Sequence, residues 1–156
     1  MSCPLGTGLK DINEDYIEKL FCLIGFYEGQ CDPTIPELCL DSEATLEENF
    51  ADTVGARLAY NTYKKWVSIK GSGPRPKGTI LDTFSDDQLF FINAAQNFLE
   101  TIDWTAYDPQ YTTHPPREVR TWGSLAGNPA FANAFNCKPT SKYNPSNRCF
   151  FFEKPE

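Results

Sequence analysis

Thr45-Leu46-Glu47-Glu48-Asn49-Phe50-Ala51-Asp52-Thr53-Val54-Gly55 is the stretch on which the reading of this chain turns. Leu46, Phe50, Val54, Leu58 and Tyr60, followed by Tyr63, Trp66 and Val67, recur at helical spacing. A helix is therefore predicted from Thr45 until Gly71-Ser72-Gly73-Pro74 stops it. Glu48 and Asp52 are four apart and share one face of that helix. Two acids at this spacing repel by a few tenths of a kcal/mol unless a cation or a hydrogen-bond donor sits between them. The pattern also fits a capping box, with Glu48 reaching back to the Thr45 amide. On the residues alone, a helix cap and a functional carboxylate pair both remain open.

Upstream, Ile12, Tyr16, Ile17, Leu20, Phe21 and Ile24 predict a helix over residues 11–29, weakened at its end by Gly25 and Gly29. Residues 31–42, with Pro33 and Pro36, read as a loop. Downstream, Ser85 with Gln88 forms a second capping-box pattern that opens a third helix ending near Ile102. Residues 103–127 then read as irregular. Asn128-Pro129 matches an N-cap followed by proline at the first helical position and introduces a short helix through Phe135. The tail, with Pro139, Pro145 and Pro155, should pack as coil. The expected fold is mainly α, with three to four helices and long ordered loops.

Composition narrows the function classes. The chain has 156 residues, 40% of them hydrophobic, which suffices for a packed core. Twenty-one acidic against fourteen basic residues give a net charge of −7, and no basic run is present, which argues against nucleic-acid binding. The longest apolar run, residues 20–26, has seven residues, far short of the ~20 that cross a bilayer. No basic segment followed by an apolar one opens the chain, so no secretory signal is expected. Six cysteines (Cys3, Cys22, Cys31, Cys39, Cys137 and Cys149) lack any C-x-x-C pair. They are either buried thiols or long-range disulfides, and disulfides would imply an oxidising compartment.

His114 is the only histidine, and no Gly-x-Ser-x-Gly elbow accompanies it. Gly71-Ser72-Gly73 is followed by Pro74 rather than by the Lys of a phosphate loop. No local cluster of His, Cys and carboxylates offers a complete zinc site. By themselves, His114, Arg117 and Arg120 read most simply as loop and surface residues.

Taken together, several segments resemble the C-terminal part of the neprilysin and endothelin-converting-enzyme family of zinc endopeptidases. Residues 45–55 with Ala59-Tyr60-Asn61-Thr62-Tyr63 resemble that family's third-ligand helix. Gln88-Leu89-Phe90-Phe91-Ile92-Asn93-Ala94-Ala95-Gln96 resembles the helix that follows it. His114-Pro115-Pro116-Arg117-Glu118-Val119-Arg120 with Gly123-Ser124-Leu125 resembles its His-x-x-x-x-x-Arg segment. Residues 128–137 and 143–149 resemble its C-terminal end. The resemblance runs from Gln30 to Phe151, so residues 1–30 form a poorly matched helical segment and residues 31–156 the family-like part.

The resemblance implies a portion of a thermolysin-like (gluzincin) catalytic domain, with zinc as cofactor, peptides as substrates and an extracellular or cell-surface location. It implies that Glu48 stands at the third zinc ligand and Asp52 at a carboxylate that orients a zinc-bound histidine. His114 stands at the oxyanion-stabilising position and Arg120 at the position that binds a substrate carbonyl. It further implies a Cys31–Cys149 disulfide, leaves Cys137 to a partner in sequence not present here, and finds no counterpart for Cys3, Cys22 or Cys39. Leu99 stands where many relatives have a cysteine.

The family's His-Glu-x-x-His helix, with two zinc ligands and the general base, is absent, and one histidine cannot replace it. The chain is therefore expected to be inactive by itself, with weak or no zinc binding, and to pair covalently or otherwise with a missing N-terminal portion. A non-catalytic shortened paralogue that binds a peptide or protein, and a disulfide-linked extracellular module without inherited function, are the alternatives. With no metal or imidazole between them, Glu48 and Asp52 should repel, and Asp52→Ala should be neutral or stabilising.

Overall fold

A computed structural model describes residues 14–75, 77–98, 104, 107–108 and 112–152. Among them the chain is mainly helical: α1 (Glu14–Tyr27), α2 (Leu46–Lys70), α3 (Asp86–Gln96), α4 (Arg117–Ala126) and α5 (Pro129–Ala134), with a 3₁₀ turn at Ile80–Thr83 before α3. Cys3, Ile12, Leu99 and Ile102 lie outside the described residues.

The local signals behave as their chemistry dictates at three places. Gly71 ends α2 at φ 78°, a left-handed conformation that costs glycine little. Ser85 and Gln88 form a complete capping box, and the Gln88 side chain also donates to the Ala134 carbonyl at the end of α5. Asn128 caps α5 by accepting from the Ala130 amide, with Pro129 at the first helical position.

α4 corrects the expectation of an irregular segment. Val119, Trp122, Leu125 and Ala126 are buried and spaced as one helical face. Gly123, Gly127, Thr121 and Ser124 mask that face in sequence, because they read as loop residues. Gly123 is in fact required by packing: a Cβ there would stand 1.8 Å from the Tyr27 hydroxyl oxygen. Gly127 is similarly tight, 2.8 Å from the Thr53 methyl. Gly123 of α4 thus makes room for Tyr27 of α1, and Gly127, just past the end of α4, for Thr53 of α2.

One cluster joins Leu23, Phe26 and Tyr27 of α1 to Val54, Val119, Trp122, Ala126, Cys149 and Phe151, so α1 shares the core of the family-like part. Phe26 stacks on Trp122 with ring centroids 4.8 Å apart. A second cluster packs Tyr60 and Phe91 with Leu125, flanked by Phe90, Phe131 and Tyr143. Arg57, buried in α2, donates from Nε to the Gly127 carbonyl at 2.8 Å and lies over the Phe150 ring. Arg148 donates to the Ala126 carbonyl at 2.7 Å. Two guanidinium groups thus satisfy the C-terminal carbonyls of α4 where the helix dipole favours cations.

Among the described residues the disulfides are Cys22–Cys149 and Cys31–Cys39, with Cys137 in neither. This replaces the expected Cys31–Cys149 bridge. The reason is that the loop between α1 and α2 folds back on itself: Cys31 and Cys39 face each other in an antiparallel bridge, held by reciprocal Asp32–Leu38 and Leu40–Gln30 backbone contacts. Cys22, carried on α1, is left to meet the tail.

Disulfide mapping of protein made under oxidising conditions should recover Cys22–Cys149 and Cys31–Cys39. The chain-entropy argument gives about 5 kcal/mol for the 127-residue separation and about 2.5 kcal/mol for the 8-residue one. Cys22→Ser should therefore lower denaturant stability clearly more than Cys31→Ser. The glycines supply a second test, since a Cβ at Gly55 would meet nothing within 4 Å. Gly55→Ala should stabilise by about 0.5–1 kcal/mol through helix propensity, whereas Gly123→Ala should destabilise by about 1–3 kcal/mol through overpacking.

Candidate functional site

Four residues from three segments meet at the N-terminal ends of α2 and α4. Glu48 and Asp52 lie on successive turns at the start of α2, Arg120 in the first turn of α4, and His114 in the loop before α4. α2 packs chiefly against α4, and that crossing brings residues 68 apart in sequence into contact.

Arg120 sits between the acids. It donates from Nε to Asp52 Oδ2 at 2.6 Å and from Nη2 to Asp52 Oδ1 at 2.9 Å, a two-bond fork on one carboxylate. Its Nη2 also lies 3.4 Å from Glu48 Oε2. His114 Nε2 is 3.3 Å from the same Glu48 oxygen, and its Nδ1 is 3.4 Å from the Thr113 hydroxyl. The Arg120 guanidinium lies over the Phe98 ring, 5.2 Å from its centroid. Hydrogen bonding to Asp52, with the charges of Asp52 and Glu48, holds the Arg120 guanidinium above the usual arginine range.

Burial separates these contacts energetically. The Asp52 and Arg120 side chains are 10% and 22% exposed, so their paired hydrogen bonds form in a partly desolvated place. Glu48 is 32% exposed and His114 57%, so the contact between them is a solvated one of small weight.

Two expectations are corrected. Thr45 makes no side-chain cap; its hydroxyl donates to the Asp41 carbonyl and accepts from Asn49 Nδ2, so the capping box with Glu48 does not form. The helix start is held instead by Asp41, whose Oδ1 accepts from the Glu43 and Ala44 amides. Nor are Glu48 and Asp52 an unrelieved like-charge pair, because Arg120 supplies the cation between them. The i, i+4 spacing showed that the acids share a face; nothing local could show what would face them.

The donor set does not fit zinc by itself. Zinc takes three protein ligands plus water in catalytic sites and four in structural ones. Among the described residues no group of three His, Cys, Asp or Glu side chains could hold a metal ion. Glu48 is already approached by a guanidinium, which competes with a metal for the same carboxylate.

Beside the ion pair runs an apolar cavity of about 290 Å³. Ala51, Gly55 and Ala59 of α2 form one wall, Phe90 and Ala94 of α3 the other, and Asp52 and Phe98 stand among its lining. Further along α2, Leu58, Trp66 and Ile69 are more than half exposed despite their helical spacing. The site also depends on residues that periodicity did not single out. Tyr27 bonds Thr53 next to Asp52, and Arg57 ties α2 to the end of α4.

Residues 7–151 match the profile of Peptidase family M13. The chain belongs to that family. It is 30% identical over 141 residues to neprilysin-21 of Caenorhabditis elegans, covering 89% of this chain and 18% of that protein. It is 33% identical over 137 residues to human endothelin-converting enzyme-like 1, covering 86% and 17%. Human membrane metallo-endopeptidase-like 1 is 32% identical over 143 residues, covering 87% and 17%. The M13 chain described here thus spans about a sixth of the length of the curated relatives it matches.

In this M13 chain, Asp52→Ala should cost about 1.5–3 kcal/mol, the scale of hydrogen bonds to charged groups, rather than being neutral. Glu48→Gln should cost less than about 1 kcal/mol. Denaturant melts of Asp52→Ala, Arg120→Ala and the double variant should show strong coupling between the two positions. Additive losses would remove the ion pair as the organising contact.

Proposed function

We propose that this chain is the C-terminal part of a peptide-hydrolysing M13 zinc endopeptidase, contributing half of an active site. In this reading Glu48 is one metal ligand, whose companions and general base lie on a His-Glu-x-x-His segment outside this chain. Asp52 orients a histidine of that segment, His114 stabilises the oxyanion and Arg120 holds a substrate carbonyl. When bound, zinc would supply Lewis-acid polarisation and an activated water.

The observation that carries the reading is the meeting of Glu48, Asp52, His114 and Arg120 in one cluster at the ends of two crossing helices. The fork on Asp52 orients Arg120 while the guanidinium keeps further donor capacity for a carbonyl. The apolar cavity alongside and the exposed Leu58–Trp66–Ile69 face are surfaces for the remainder of such a protein to cover. Two disulfides fit an extracellular or cell-surface location.

The internal pairing of Asp52 with Arg120, whose guanidinium also approaches Glu48, favours a second reading, a non-catalytic relative that binds peptide or protein. Both readings predict that the isolated chain, supplied with zinc, leaves peptides uncleaved; zinc-dependent cleavage lost on Glu48→Ala would overturn them. They part when the chain is produced together with the upstream sequence of its transcript. The endopeptidase reading expects zinc-dependent cleavage that Glu48→Gln abolishes and Asp52→Asn lowers about 10–100-fold. A folded, zinc-supplied product of that kind without activity would leave the non-catalytic reading.

A further inference from the structure

The Arg120–Asp52 fork needs α2 and α4 at a fixed separation, and the atoms that set it belong to α1. The Tyr27 side chain is 0% exposed, and its hydroxyl lies 2.9 Å from Thr53 Oγ1, on the residue that follows Asp52. The same end of the phenol occupies the space a side chain at residue 123 would need, with Oη, Cζ and Cε1 at 1.8, 2.3 and 2.6 Å from a Cβ built there. Gly123 is one turn beyond Arg120 on α4. The phenol is thus a spacer between the turn carrying Asp52 and the turn following Arg120. Its place is fixed from behind by Trp122, edge-on at 5.6 Å, and by Phe26 stacked on that indole.

We propose that Tyr27 is a positioning residue for Arg120: through its hydroxyl on Thr53 and its ring against Gly123, it holds α2 and α4 at the separation that lets the guanidinium form two bonds to Asp52. Burial keeps the phenol protonated far into alkaline solution, so the hydroxyl remains available to Thr53. A core aromatic that only filled space would need no hydroxyl, and phenylalanine would replace it without consequence for a guanidinium elsewhere. Here the polar link adjoins the carboxylate, so loss of one oxygen should be felt at Arg120.

The functional meaning of this role rests on the reading of Arg120 as the substrate-binding arginine, but its test does not. The readout is the nitrogen NMR signal of Arg120 in the oxidised 156-residue chain with no peptide or metal added. A guanidinium held in a fork gives a shifted, slowly exchanging Nε–H with separated Nη signals, and a released one gives the averaged solvent-exposed pattern. Tyr27→Phe and Thr53→Val should each convert the Arg120 signal toward the released pattern. Thr53→Ser, which keeps the hydroxyl, should retain the held pattern. Phe131→Leu weakens the second aromatic cluster, away from Tyr27 and its polar link, and should leave Arg120 held. An unchanged Arg120 signal in folded Thr53→Val would overturn the proposal, as would an equal shift in Phe131→Leu. Peptide binding by Arg120 variants tests the substrate reading separately, so either can fail alone.

Discussion

The close crossing of α2 and α4 is the constraint on which the remaining structure depends. Beside it α4 offers no side chain at Gly123, and a buried phenol from α1 fills the space that absence leaves. The crossing is then locked by polar bonds of different reach. Tyr27 to Thr53 fixes the middle, Arg120 to Asp52 one end, and Arg57 to the Gly127 carbonyl the other. Each buried polar group in this set finds a partner, which matters because an unpaired one would cost about as much as several such bonds contribute.

The covalent links complement that crossing. Cys22–Cys149 joins the helix that supplies the phenol to the tail that closes the first aromatic cluster. Cys31–Cys39 stiffens the connection from α1 to α2, where the Asp32 carboxylate also gathers the Thr34 and Ile35 amides. The chain nevertheless keeps Leu58, Trp66 and Ile69 more than half exposed along α2. A surface of this kind is expected where further protein packs, in keeping with a family whose curated members are about six times longer than the matched region.

Electrostatics at the site follow from geometry rather than from net charge. The chain carries −7 overall, yet its paired acids face a guanidinium. Asp52 takes both strong bonds and is nearly buried, while Glu48 shares one oxygen between Arg120 and His114 at longer distance and greater exposure. Glu48 is therefore the carboxylate with free acceptor capacity, and Asp52 the one committed to orienting a neighbour.

The sequence by itself determined what local chemistry decides. The span of α2 with its glycine stop, the Ser85–Gln88 box, the Asn128 cap and the shared face of Glu48 and Asp52 are all written within four residues of where they act. Its segments are also distinctive enough to resemble one peptidase family. Only tertiary structure decided the rest. α4 buries Val119, Trp122, Leu125 and Ala126 on one face and packs Gly123 on Tyr27, although in isolation its small residues read as loop. Glu48 abandons the Thr45 cap because Asp41 takes over the helix start and Arg120 lies opposite. Cys149 pairs with Cys22 rather than Cys31, across 127 residues, because a local turn holds Cys39 opposite Cys31. Contacts between residues so far apart depend on how helices pack, and side-chain spacing along one strand of sequence holds no record of the partner's position.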